Sequence, residues 1–167
     1  MQLNGLIYSL PKEIKLLLTA FVIVLSIGFF TGLLFVNQTS TANPNGIEEQ
    51  YLGNENDEEA TVMKFKKTEK QMLNIVHSHI LSMALIFVLL GAILSTTQLS
   101  YKLKVFLMIE PFLSVVLTFG GLYLLWKGIT WMKYIVMVSG TLMTLSYSIS
   151  ALIILKQLLF SKKVKSE

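Results

Sequence analysis

The stretch "LLLTAFVIVLSIGFFTGLLFV", residues 16–36, runs for 21 residues without a charge. A bilayer core of ~30 Å takes roughly 20 helical residues to cross, so this run is long enough to span. Three more follow, at about residues 73–94, 103–126 and 134–155, the third interrupted only by Glu110-Pro111. Lipid offers the backbone no hydrogen-bond partners, so a spanning segment must be a helix or part of a closed barrel. Runs of this length without two-residue alternation read as helices. The expectation is an all-α integral membrane protein: a four-helix bundle in one domain covering residues 1–167. The charge content agrees, at 14% against about 25% in soluble domains.

The first run follows Lys12 and Lys15, as the apolar part of a signal peptide would. It exceeds the ~7–15 residues of such a segment and no A-x-A-like site follows, so it reads as an uncleaved span. The net charge of +4 comes entirely from lysines, with no arginine. Many of them flank the spans, which points to membrane topology rather than nucleic acid. There is no cysteine, which excludes disulfides, thiolate metal sites and Fe–S clusters.

Lysines near span ends favour the cytoplasm. Lys12, Lys15, Lys102, Lys104, Lys156, Lys162, Lys163 and Lys165 fall on one side; Lys64, Lys66, Lys67, Lys70, Lys127 and Lys133 fall on the other. That bias places both termini inside and the first and third connections outside. "YSLPKEIK" is then expected to lie on the inner membrane surface. The outer loop, residues 37–70, carries seven acids: Glu48, Glu49, Glu55, Asp57, Glu58, Glu59 and Glu69. Within it "NPNGIEEQYLG" reads as a short helix, with Pro44 near its start and Gly53 closing it. "TEKQ", Thr68 to Gln71, fits a capping box, so the second spanning helix should begin near Thr68. Tyr123, Trp126, Trp131 and Tyr134 bracket the third connection as an interfacial belt would. Gly28 and Gly32, and Gly140, Thr144 and Ser148, recur at four-residue spacing. Such faces let helices approach closely, within the chain or across a homodimer.

Few residues could carry chemistry. His77 and His79 head the second span, but on a regular helix they point about 200° apart. The side of His77 carries small residues and suits a helix interface, so His77 is expected inward and His79 outward. A b-type haem takes His or Met axial ligands. His77 with Met132, or one histidine from each of two subunits, would serve. A divalent metal could be held by His77 or His79 with Glu48 and Glu49. The other outlier is "MIEPF". Glu110 sits inside the third span, about two turns from its start, beside Pro111, which removes a backbone donor. Ionisable residues at membrane depth suggest function by default. Glu110 is therefore a candidate proton or substrate site, with Tyr51 a lesser one; snorkelling or structural capping is the plain alternative. No nucleophile triad, phosphate loop or HExxH appears, so enzyme chemistry has little support.

The order "GIEEQYLGN", acidic linker, "TEKQMLNIVHSHILSMALIF", "MIEPF" and "GGLYLLW" resembles small four-span bacterial inner-membrane proteins. The resemblance implies a bacterial membrane location and transfers no ligand or catalytic role. Small multidrug transporters place their membrane-embedded Glu in the first span, which here is uncharged. Three readings follow: a haem- or metal-binding redox or accessory subunit built on His77 and His79; a small proton-coupled transporter or channel centred on Glu110; or a structural membrane protein docking a partner through its acidic loop. All have lipid, and either a second copy or a larger membrane complex, as partners.

Overall fold

The computed structural model describes residues 3–40, 43–55 and 62–160. Among the described residues five α-helices run in order: α1 (Lys12–Ser40), α2 (Pro44–Leu52), α3 (Glu69–Ser95), α4 (Tyr101–Trp126) and α5 (Met132–Leu159). Four of them, all but α2, are long and apolar enough to cross a membrane. The fold is all-α, with no strand among the described residues, and the protein is a multi-pass membrane protein. Asp57, Glu58, Glu59, Lys162, Lys163 and Lys165 lie outside the described residues.

Each spanning helix extends beyond its apolar run. α1 is 29 residues long, about 44 Å at 1.5 Å per residue, so its ends reach past the hydrocarbon or the helix tilts. The helix starts follow their caps. Asn43 accepts from the Gly46 amide at 2.7 Å ahead of Pro44. Thr68 and Gln71 form the expected capping box: the Gln71 amide donates to the Thr68 hydroxyl, and the Thr68 amide donates to Gln71 Oε1.

α4 and α5 make the most extensive contact, α3 packs against α4, and α1 lies against α5. Tyr147 on α5 is the hub. It is fully buried, stacks on Phe29 of α1 with centroids 3.9 Å apart, and meets Phe87 of α3 edge-on at 6.3 Å. The Ser26 hydroxyl donates to Val22 O at 2.7 Å. Having one hydrogen to give, Ser26 must therefore accept the Tyr147 phenol at 3.1 Å.

The two ends of the bundle differ. At the end bearing the N-terminus, residues Leu6–Ser9 form a 3-10 turn. Ile7 is fully buried, and its amide donates to Thr96 O at 3.1 Å. Burying Ile7 removes an apolar side chain from water and anchors the turn to the bundle. The Lys104 ammonium donates to Asn4 Oδ1, Ser95 O and Thr97 O, placing a cation at the negative end of α3. At the other end, the segment before α3 returns along α2. Asn54 N donates to Lys64 O, Lys67 N to Tyr51 O, and the Trp126 indole to Lys67 O at 2.7 Å. Gly53 is required at the crossing. Its φ is +84°, and a Cβ there would lie 2.8 Å from both Lys64 O and Lys66 N. Lys133 pairs with Glu48 at 2.6 Å and fixes α2 to α5. Of the expected aromatic belt, Trp131 and Tyr134 are exposed while Trp126 is buried.

Close helix approach uses different small residues from those expected. A Cβ on Gly28, Gly32 or Gly140 would meet nothing within 4 Å, whereas one on Gly121 would lie 2.9 Å from Val136 Cγ2. The Gly28/Gly32 face therefore makes no close contact within the chain. The α4–α5 crossing closes over Gly121 instead.

Candidate functional site

α4 and α5 bury a seam of hydroxyls around one carboxylate. On α4, Glu110, Ser114 and Thr118 follow at four-residue spacing and share a face. On α5, Ser139, Ser146 and Ser150 fall at i, i+7 and i+11 and likewise share one. Ser114, Thr118, Ser139, Ser146 and Ser150 are all buried, and Glu110 is partly so. The Ser114 hydroxyl donates to Glu110 Oε1 and the Ser146 hydroxyl to Oε2, both at short range. One turn along, Ser139 donates to Ile135 O at 2.8 Å. Thr118, 2.8 Å from Ser139, must then be the donor between them.

Glu110 lies nine residues into α4, about 14 Å along the axis, so it sits within a helix long and apolar enough to cross a membrane rather than at its end. Among the described residues no lysine lies within ion-pair distance of its carboxylate. α4 continues through Pro111, which is fully buried. The snorkelling expectation fails here because two hydroxyls reach the carboxylate where it stands. The arrangement suits a group that changes protonation. A carboxylate accepts from both serines, and a carboxylic acid can donate to either, because a hydroxyl both gives and accepts.

The histidines are placed differently from expectation. His77 and His79 are both exposed at the surface of α3. His79, not His77, meets another helix: its ring lies 4.8 Å from that of Phe119 on α4. Its Nδ1 is 2.8 Å from Ile75 O on its own helix. Met132 is buried at the start of α5 and packs toward Gly121. Glu48 is paired with Lys133, and Glu49 lies 4.0 Å from Lys64. Among the described residues no three of His, Asp or Glu gather to hold an ion. Glu48 and Glu49 line an open cleft of about 460 Å³ with Asn45 and Glu55, but their two lysines already balance them. Tyr51, on α2, is partly buried, and burial pushes its phenol above the usual 10.0.

Sequence reasoning singled out Glu110 but missed Ser114, Thr118, Ser139, Ser146 and Ser150. The signal was available on α4, where acid, serine and threonine repeat every four residues. On α5 two hydroxyl-bearing faces compete, and the Gly140/Thr144/Ser148 face was the one chosen.

Residues 41–165 match a protein family described as a transmembrane helical domain. No curated protein and no solved structure matches the chain.

Proposed function

We propose, for a chain that belongs to this family of transmembrane helical domains, that it is a small proton-coupled transporter or channel whose proton-carrying group is Glu110. The observation that supports the reading is the clamp: one carboxylate within a spanning helix, bonded by serines from two different helices and, among the described residues, facing no cation. A carboxylate in hydrocarbon is costly, and such groups mark ion paths, proton relays or ligand counter-ions. With no lysine to neutralise it, a proton is the smallest partner that can. The end that carries Lys12, Lys15, Lys102 and Lys104 is taken as cytoplasmic, in a bacterial inner membrane. Glu110 then lies in the inner half.

The test is proton flux into liposomes holding the purified protein and a trapped pH-sensitive dye. Wild-type protein should pass protons down an imposed gradient. Glu110→Gln should abolish the flux while eluting as a folded, helical protein. Equal flux in the two would remove Glu110 from the path.

A further inference from the structure

Ser150 is the one buried side-chain polar atom without a partner among the described residues. It is 1% exposed, and a buried orphan calls for an explanation such as a bound water or ion. The usual way out for a helical serine is to bond the carbonyl one turn back. On α5, Ser139, Thr141, Thr144 and Ser148 all do so. Ser146 instead turns to Glu110, and Ser150 turns to nothing on the protein. The two hydroxyls that forgo their own helix are the two adjacent turns of the seam face. Their Cβ atoms stand about 5–6 Å apart, close enough for one water to bond both hydroxyls.

We propose that Ser150 holds a water molecule bridging to the Ser146–Glu110 pair, and that this water exchanges the Glu110 proton toward the end bearing the N-terminus. The second half rests on the proton reading of Glu110; the water itself does not. The step balances simply. The carboxyl O–H of Glu110 breaks and its proton adds to Ser146 Oγ while the Ser146 hydroxyl proton passes to a lone pair of the water, which leaves a carboxylate, an intact serine and a protonated water. The return step reverses this. Beyond Ser150 the same face carries Ile154 and Leu158, with Leu107 opposite and Ile7 at the mouth, all buried. The water is thus closed off in this conformation, and Ile7 in its 3-10 turn is the plug that must lift for exchange. The titratable groups at that end are Tyr8, Lys12, Glu13, Lys15 (its ammonium donating to Tyr8 O), Tyr101, Lys102, Lys104 (held by Asn4, Ser95 and Thr97) and the exposed Lys156.

Two measurements on the full chain in detergent test this. The first is the thermal midpoint of Ser150→Ala. A dry orphan hydroxyl is a burden, so its removal would raise the midpoint. A hydroxyl holding a water loses that water's bonds, so the midpoint should fall by a few degrees, and Ser150→Thr should restore it. A raised or unchanged midpoint overturns the water. So does a midpoint that climbs with added sodium, which would put a cation in its place. The second is infrared detection of the Glu110 carboxyl after transfer to heavy water, the band being assigned by its loss in Glu110→Gln. Ser150→Ala should slow its exchange by about tenfold or more, while Ser148→Ala should not. Unchanged exchange with a lowered midpoint overturns the relay. Unchanged proton flux in Glu110→Gln overturns the transport reading instead and leaves the midpoint result standing.

Discussion

Truncating Ser146 to alanine removes the bond that ties Glu110 to a second helix. Two scales bracket the loss. Interhelical hydrogen bonds between neutral groups in a membrane protein average ~0.6 kcal/mol and reach ~1.7. Bonds to a charged acceptor contribute about 1.5–3 kcal/mol. Glu110 keeps its second donor, Ser114, after the truncation, so the carboxylate is weakened rather than orphaned. The expected cost of Ser146→Ala is therefore about 1–2 kcal/mol, at the upper end of the membrane range. Thr118→Val removes a neutral hydroxyl pair with Ser139 and should cost nearer ~0.6 kcal/mol. Reversible unfolding of the purified protein in mixed micelles with increasing SDS measures both. A double-mutant cycle isolates the pair: Ser146→Ala, Glu110→Gln and the combination. Glutamine accepts through one oxygen and must present its amide to the other serine, so it keeps the shape and loses the charge assistance. The cycle should show a coupling of about 1 kcal/mol. Coupling under about 0.3 kcal/mol, the usual scatter for independent sites, would mean that no charge-assisted bond joins Ser146 to Glu110, and the clamp as drawn would fall.

Gly121→Ala places a Cβ 2.9 Å from Val136 Cγ2 and should destabilise by about 1–3 kcal/mol through overpacking; Val136→Ala in the same chain should recover most of that, as read by the same SDS titration. Gly53→Ala combines an unfavourable φ of +84° with 2.8 Å contacts to backbone, so the segment returning along α2 should come loose and limited proteolysis between α2 and α3 should speed up with α4 and α5 still protected. The Tyr51 phenol is raised above 10.0 by burial, so the folded loop prefers the neutral form. The unfolded loop ionises first. The stabilisation is complete below about pH 10 and is lost as pH climbs through the folded value, so Tyr51→Phe should extend loop protection in alkali, and an unchanged alkaline profile would contradict the burial.

How far the fold could be read in advance depended on which physics wrote it. Helix ends are local chemistry. Pro44 after Asn43, Gly53 at a positive φ, and Thr68 with Gln71 each lie where a backbone group needs a partner, and each was legible. Which face of a span points inward is another matter. In lipid the outside is as apolar as the inside, so the hydrophobic pattern that orients a soluble helix carries little information. That is why Gly28 and Gly32 on α1, and Gly140 on α5, were read as packing faces and make no close contact within the chain. It is also why the small residues beside His77 suggested burial, although the ring is exposed and His79 is the one lying on Phe119. Small side chains permit contact without requiring it. Polar groups with a specific partner do require it, and Glu110 with its serines sets the α4–α5 register in a way that no alternation of Leu and Val could.

That same requirement separates the two meanings Glu110 can have. A carboxylate present only to lock α4 to α5 is replaceable by any group that can bond both Ser114 and Ser146, and glutamine, accepting from one and donating to the other, is such a group. Its loss of charge assistance would be felt in stability alone. A carboxylate that carries a proton is not replaceable, because glutamine holds the geometry and cannot exchange. The serines sharpen the contrast. Each could instead bond its own helix one turn back, as Ser139 and Ser148 do, so neither serine is orphaned when the clamp opens. Release of Glu110 is then a rotation of two hydroxyls rather than an unfolding of the bundle. A lock gains nothing from being so readily undone, whereas a site that must take up a proton and give it back depends on it.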